Sequence, residues 1–184
     1  MATYVALLRG INVGGHKRMP MKQLSKALEG AGLSEVQTLL QSGNVVLKSP
    51  QRSASAVEKR VREAILAEFG FEVSVLVRSA KVFLSEVDAN PFAAQSVADP
   101  KTVHFFFRRG DDVIDDAAVR KLQGADEETH AFGHVFYLHA PSGIGRSKLV
   151  ARATSVLGET TARNARTVSR LNGLLRMKID ERFS

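Results

Sequence analysis

The sequence contains no cysteine. That absence excludes structural disulfides, thiolate zinc sites, iron–sulfur clusters and thiol catalysis together. Tryptophan is missing too, and no apolar run approaches the roughly 18 residues that would suggest a membrane span. The first apolar run, Tyr4–Leu8, meets Gly10 and Asn12 at once and has no basic segment before it. The expectation is therefore a cytoplasmic protein without membrane contact. The strings that mark common hydrolytic chemistry, His-Glu-x-x-His and Gly-x-Ser-x-Gly, do not occur. The five histidines do not cluster at metal-ligand spacing on any expected helix, so neither a metal nor a cofactor is expected. The acidic pairs Asp111-Asp112 and Asp115-Asp116 have Mg²⁺-binding chemistry, but two such pairs in sequence read more simply as helix-start residues.

What is present is the composition of a folded chain. Of 184 residues, 44% are apolar and 24% charged, which argues against disorder. The net charge of +7 is unevenly placed. Residues 1–80 hold 11 Lys and Arg against 6 Asp and Glu, a net of +5. Residues 81–140 hold 6 against 10, a net of −4, and residues 141–184 hold 9 against 3, a net of +6. A basic beginning and a basic end flank an acidic middle, which directs attention to anionic partners. The competing explanation is solubility, with Lys and Arg covering helix faces.

Hydrophobic spacing supplies the architecture. Thr3–Arg9 reads as a strand buried on both faces, because Tyr4 to Leu8 run together without alternation. Met21, Leu24, Ala27 and Leu28 form a helical stripe that Gly30 and Gly32 end. Val36–Gln41 and Val45–Lys48 pair around Ser42-Gly43-Asn44, where Gly43 and Asn44 both tolerate positive φ. Val57, Val61, Ile65 and Phe69 mark a second helix, and Phe71, Val73, Val75 and Val77 alternate as a strand. The order β-α-β-β-α-β is the ferredoxin-like pattern.

The second half repeats it after a short helix at Ala80–Val87 and a loop at Ala93–Pro100. A strand runs to Arg108, a helix covers Asp111–Gln123, and Glu128–Phe132 pairs with Val135–His139. A helix follows over Leu149–Leu157, and a final one around Val168–Leu175 stands where a fourth strand would be, unless Met177–Arg182 supplies that strand. The reading is an α+β chain of two ferredoxin-like subdomains in tandem, residues 1–79 and 80–184, with an extra C-terminal helix.

Five strings then line up: Arg9-Gly10-Ile11-Asn12-Val13-Gly14-Gly15, Gln41-Ser42-Gly43-Asn44-Val45-Val46, Asn90-Pro91-Phe92, Gly145-Arg146-Ser147-Lys148-Leu149, and Thr160 to Val168. Together they resemble the bacterial domain-of-unknown-function family 1697 over nearly the whole chain. The resemblance implies two ferredoxin-like subdomains and brings no activity with it. One departure stands out. The family pattern near the end reads Thr-x-Arg-Asn-Trp-x-Thr, and Ala165 holds the aromatic position here.

Four loops carry the candidate ligand-binding residues. In the first, Arg9, Gly10, Asn12, Gly14, Gly15 and Lys17 combine open backbone with positive charge, without the ending of a phosphate-binding P-loop. The second offers Ser42 and Asn44 in a hairpin turn. The third places Ser147 and Lys148 at a helix start, together with Arg146. The fourth, Thr160–Thr167, holds Thr161, Arg163, Asn164 and Arg166, and the spacing of Arg163, Arg166 and Arg170 predicts one arginine face on a helix. A fifth candidate is a sheet face. If Val103, Phe105 and Phe107 face the helices, then His104, Phe106 and Arg108 face out beside Tyr137 and His139, an array suited to stacking nucleic-acid bases or to packing on the other subdomain.

These features support a binding protein for an anionic, phosphate-bearing small molecule or nucleic acid, held in a basic cleft between subdomains. The alternatives are a small enzyme using the same loops on a phosphorylated or carboxylated metabolite, and a protein-interaction scaffold.

Overall fold

A computed structural model describes residues 1–110 and 114–180. In chain order the elements are β1 (Ala2–Arg9), α1 (Met21–Gly30), β2 (Ser34–Leu39), β3 (Asn44–Ser49), α2 (Ala54–Phe69) and β4 (Ser74–Ser79). They continue with α3 (Ala80–Asp88), α4 (Ala93–Ala98), β5 (Val103–Arg108), α5 (Asp116–Leu122), β6 (Glu128–Phe132) and β7 (Val135–His139). The last are α6 (Lys148–Ala151), α7 (Ala153–Leu157), β8 (Thr160–Asn164) and α8 (Ala165–Asp180). The strands form two four-stranded antiparallel sheets, β2-β3-β1-β4 and β6-β7-β5-β8. Each is the ferredoxin-like order, with the first and third strands of its unit at the centre. The chain divides into two compact units. One is Met1–Leu84 with the segment from Leu171 onward, and the other is Ser85–Arg170.

In the first unit, Tyr4, Ala6, Leu8, Val45, Leu47, Val75 and Val77 form the sheet side of the core. Leu24 and Leu28 of α1 and Val57, Val61 and Ile65 of α2 supply the helix side. The α2 stripe falls at the helical spacing seen in the sequence. Ser53 caps this helix by accepting from the Ala56 amide at 3.2 Å, and Gly70 ends it at φ 73°. The alternate residues Val5, Leu7, Val46 and Leu76 are buried as well. Both faces of β1 are therefore withdrawn from water, which explains its unbroken apolar run.

The second unit departs from the sequence expectation in three places. The fourth strand is β8, Thr160–Asn164, and Met177–Asp180 is helical; Glu181 and Arg182 lie outside the described residues. Thr160 and Thr161 are buried along the β5 edge, where β-branched side chains fit a pleated surface. Residues 93–98, expected as a loop, form a short helix of good helix-forming residues. The helix expected over Leu149–Leu157 is broken at Arg152 into α6 and α7. The turn in the first unit also differs, because Leu40 and Gly43 take positive φ while Asn44 is already in β3. Asp115 caps α5 by accepting from the Ala117 and Ala118 amides, as a helix-start aspartate does; Asp111 and Asp112 lie outside the described residues.

The faces of the second sheet are the reverse of the expectation. Phe106, Phe136 and Leu138 pack with Val119, Leu149, Ala153 and Leu157 under the helices. His104 and Arg108 share that face and are buried. Arg108 donates through Nε to the Leu157 carbonyl at 2.9 Å. Burial pushes the His104 imidazole below its ordinary pKa. The other face holds Phe105, Phe107 and Tyr137, with Phe105 meeting Tyr137 edge-on at 5.2 Å. All three are buried, and the Tyr137 hydroxyl donates to the Glu86 carbonyl at 2.6 Å. Its pKa is pushed up by burial and by the Glu86 carboxylate. No open aromatic platform for bases remains on this strand pair.

One polar network ties the C-terminal helix to the first unit. Glu35 sits at φ 48° where the β2–β3 register shifts, so its side chain leaves the regular pleat. Its carboxylate accepts from Lys48 and, at 3.3 Å, from the buried Lys178 of α8. The Lys48 and Lys178 ammonium groups hold the Glu35 carboxyl below its usual pKa of 4.5. A depressed carboxyl stabilises the fold above its ordinary pKa, and that stabilisation fades as pH falls through the folded value. Hydrogen-exchange mass spectrometry of Glu35→Gln should show faster exchange across Leu171–Ile179 at pH 7. Wild-type protein should lose the same protection on acidification below about pH 4.5. Unchanged exchange in the variant would show that Lys178 is held by something else.

Candidate functional site

The connection between β1 and α1 is not an open glycine loop. The Asn12 amide donates to the Lys17 carbonyl at 3.2 Å, the His16 amide donates to the Val13 carbonyl at 3.0 Å, and Val13 bridges His16 antiparallel. Gly14 and Gly15 occupy the turn at φ 58° and 79°. Two successive positive φ angles are the pattern of a type I′ turn, which glycine adopts without strain. The segment is thus a short hairpin. Val13, at 67% exposure, and Gly14, Gly15, His16, Lys17 and Arg18 are all exposed.

Asn12 holds the base of this hairpin. Its side-chain oxygen accepts from the Met19 amide at 2.8 Å, and its nitrogen donates to the Met19 and Gln41 carbonyls at 3.0 and 2.9 Å. Asn12 and Lys17 take positive φ, 53° and 47°, a conformation that costs a non-glycine residue about 1–2 kcal/mol. The Lys17 ammonium donates to the Glu72 carbonyl at 2.8 Å. Arg9 ends β1 at the mouth of the hairpin and is exposed, as is Gly10 at φ 71°. The sequence contained a signal for this shape that the glycine count alone obscured: Gly14-Gly15 stands between residues that can pair.

The second candidate loop meets the first. The Leu8 amide donates to the Gly43 carbonyl at 2.7 Å, and Asn12 reaches Gln41. Asn44 is fully buried, and its amide donates to the Leu39 carbonyl and to Ser42 Oγ. The polar groups of this turn are occupied in closing it. Ser42 itself is exposed beside the hairpin base.

In the second unit, Ser147 caps α6 by accepting from the Val150 amide at 3.1 Å and is buried. Lys148 and Arg146 are exposed and line a groove with Lys121. Arg163 lies on β8, opposite Phe105, so the expected run of Arg163, Arg166 and Arg170 along one helix does not form. Desolvation brings the Arg163 guanidinium down to about 10, and its Nη1 donates to the Ala162 carbonyl at 2.8 Å. Thr161 is buried opposite Phe107. Asn164 caps α8 by accepting from the Thr167 amide at 3.1 Å. Arg166 is exposed on α8, and Ala165, at the position the family pattern gives to an aromatic, is buried. Among the described residues, no group of three His, Asp or Glu side chains is placed to hold a metal ion.

Within each unit, then, the candidate residues separate by exposure. In the first, Arg9, Gly10, Gly14, Gly15, Lys17 and Ser42 are exposed, while Asn12 and Asn44 shape the loops that present them. In the second, Lys148 and Arg166 are exposed, while Ser147, Thr161 and Asn164 act within the fold. The loop junction of the first unit can be probed at Gly43. A Cβ there would stand 2.6 Å from Leu8 Cβ and 2.8 Å from Ile11 Cδ1, on a residue at φ 77°. Gly43→Ala should destabilise the first unit by about 2–4 kcal/mol, combining overpacking with left-handed backbone strain. Denaturant titration measures this, and a loss under 1 kcal/mol would mean the junction adapts freely.

Comparison with known proteins adds the family. No curated protein sequence matches the chain. The solved structure of the conserved bacterial protein SP0830 from Streptococcus pneumoniae is similar, at 24% sequence identity and a TM-score of 0.76, covering 95% of this chain and 98% of that one. At that identity the likeness concerns the fold. Residues 1–137 match the family described as "Protein of unknown function (DUF1697)". With most of its length in that match, the chain belongs to the DUF1697 family.

Proposed function

We propose that the protein binds a phosphate-bearing ligand, best supplied by a nucleic-acid strand, through the β1–α1 hairpin of the first unit. The observation that carries this reading is the coincidence of shape and charge. No Asp or Glu occurs before Glu29, while Arg9, Lys17, Arg18, Lys22 and Lys26 all precede it. All five are exposed, on the end of β1, the hairpin or the first turns of α1. A projecting backbone with exposed glycine amides can approach a phosphate oxygen closely, and the cations neutralise it. The apolar tip at Val13 gives the hairpin a surface that contacts base or sugar without reading sequence.

A phosphate-backbone interaction of this kind is salt-dependent through counterion release. Fluorescence anisotropy with a labelled single-stranded oligonucleotide should give an affinity that falls steeply with salt. The Lys17→Ser/Arg18→Ser variant should bind at least about tenfold more weakly at low salt. It should also lower the slope of log K against log salt by about 1.4, at about 0.7 per lost contact to a single strand. Binding that ignores salt, or a variant equal to wild type, would refute the assignment.

A further inference from the structure

We propose that the second unit carries a separate binding site for a phosphate monoester with an apolar body, formed by two adjoining grooves that meet at Lys121 and Lys148. The first groove, of about 630 Å³, lies between the end of α5 and the β7–α6 connection, and Lys121, Arg146 and Lys148 line it. The second, of about 510 Å³, follows α5, α6 and α7 and shares Lys121, Leu122 and Lys148 with the first. Its other lining includes Ala118, Ala151 and Val156, with Arg152 as a further cation. Each falls within the roughly 300–1,000 Å³ of small-molecule sites.

The first groove holds both signs of charge. Glu127 is buried, and its carboxylate accepts from the Gly124 amide at 2.8 Å. Asp126 is exposed, and Ser142 holds its pKa below the usual range, so it stays anionic. Lys121, Arg146 and Lys148 are exposed, and their side chains have no hydrogen bond or ion pair among the described residues. Three cations against two carboxylates leave the groove net positive, which favours an anion at the end where Lys121, Arg146 and Lys148 stand. The β7–α6 loop adds backbone at Gly145, where a Cβ would meet nothing within 4 Å, so the approach is sterically open; the Gly143 amide is spent on the Ala140 carbonyl at 2.8 Å. Ser147 is spent on the α6 cap and takes no ligand contact in this assignment.

The second groove defines the rest of the ligand. Ala118, Leu122, Ala151 and Val156 give it an apolar floor that begins at the same two lysines. A free inorganic anion would use only the first groove. A phosphate monoester places its phosphoryl group at Lys121, Arg146 and Lys148 and lays its apolar body along the helices, using both. The site is independent of the hairpin in the first unit.

The test is an NMR titration of the full chain with 1-naphthyl phosphate. Saturable amide shifts are expected across residues 118–127 and 142–156. Inorganic phosphate should bind at least about tenfold more weakly, and 1-naphthol should leave the Arg146 amide unmoved. The Lys121→Ser/Lys148→Ser variant should raise Kd at least about tenfold, whereas Lys59→Ser/Arg62→Ser on α2 should leave it unchanged. Circular dichroism reports whether the variants fold. Should the double variant unfold, Arg146→Ser in the exposed loop carries the same test. Absence of saturable shifts at millimolar ligand, or equal losses in both double variants, would overturn the proposal, whatever the outcome for nucleic acid.

Discussion

The central strands β1 and β5 each bury six consecutive residues, Thr3–Leu8 and Val103–Arg108. That double burial governs what the rest of each unit can do. A strand buried on both faces leaves no open sheet surface for a ligand, because both of its faces are already covered by the protein. Arg108 illustrates the point, since its guanidinium is turned inward to the Leu157 carbonyl. Function is thereby expelled from the sheets to their ends and to the helix surfaces, where backbone and cations still meet water.

At those ends the chain uses the same means twice with different results. In the first unit, left-handed backbone at Asn12, Gly14, Gly15 and Lys17 turns the β1–α1 connection into a hairpin, and Asn12 anchors its base with three hydrogen bonds. The strain at Asn12 and Lys17 is offset by these hydrogen bonds, two of which pair the backbone of the buried Met19. In the second unit, the glycine-containing loop before α6 stays open and becomes one wall of a groove. A projecting cationic hairpin suits an extended polyanion, whereas a cationic groove continuous with an apolar floor suits a compact one.

The sequence was most legible where local forces decide. The β2–β3 and β6–β7 hairpins, the helix starts at Asp115 and Ser147, and the stripe Val57, Val61, Ile65 all follow from side chains within a few residues of one another. It was least legible on β5. His104, Phe106 and Arg108 read as outward only on the condition that Val103, Phe105 and Phe107 face the helices. Instead Phe106 lies in the helix-side core, and His104 and Arg108 go inward with it. A strand buried on both sides has no hydrophobic alternation to set its parity, and one-residue parity exchanges every side chain. Arg163 was misread for a related reason. Its spacing to Arg166 and Arg170 is helical, yet pairing of Thr160–Asn164 with β5 claims it for a strand. The exposed members of the candidate set, such as Lys17 and Lys148, were visible as residues. Their partners in a common concavity, Lys121 above all, were separated from them by many positions.

By itself, then, the sequence determined the order β-α-β-β-α-β in the first unit and its first five elements in the second, the exclusion of thiol chemistry, and the basic character of the two ends of the chain. Periodicity, turn residues and composition are local or additive quantities, so they can be read without a fold. Only the tertiary structure decided which face of β5 is inside, that Asn12 and Asn44 serve the loops, and that Lys121 joins Arg146 and Lys148 around one groove. These depend on strand pairing and on contacts between distant segments, where burial and hydrogen-bond satisfaction override local preference.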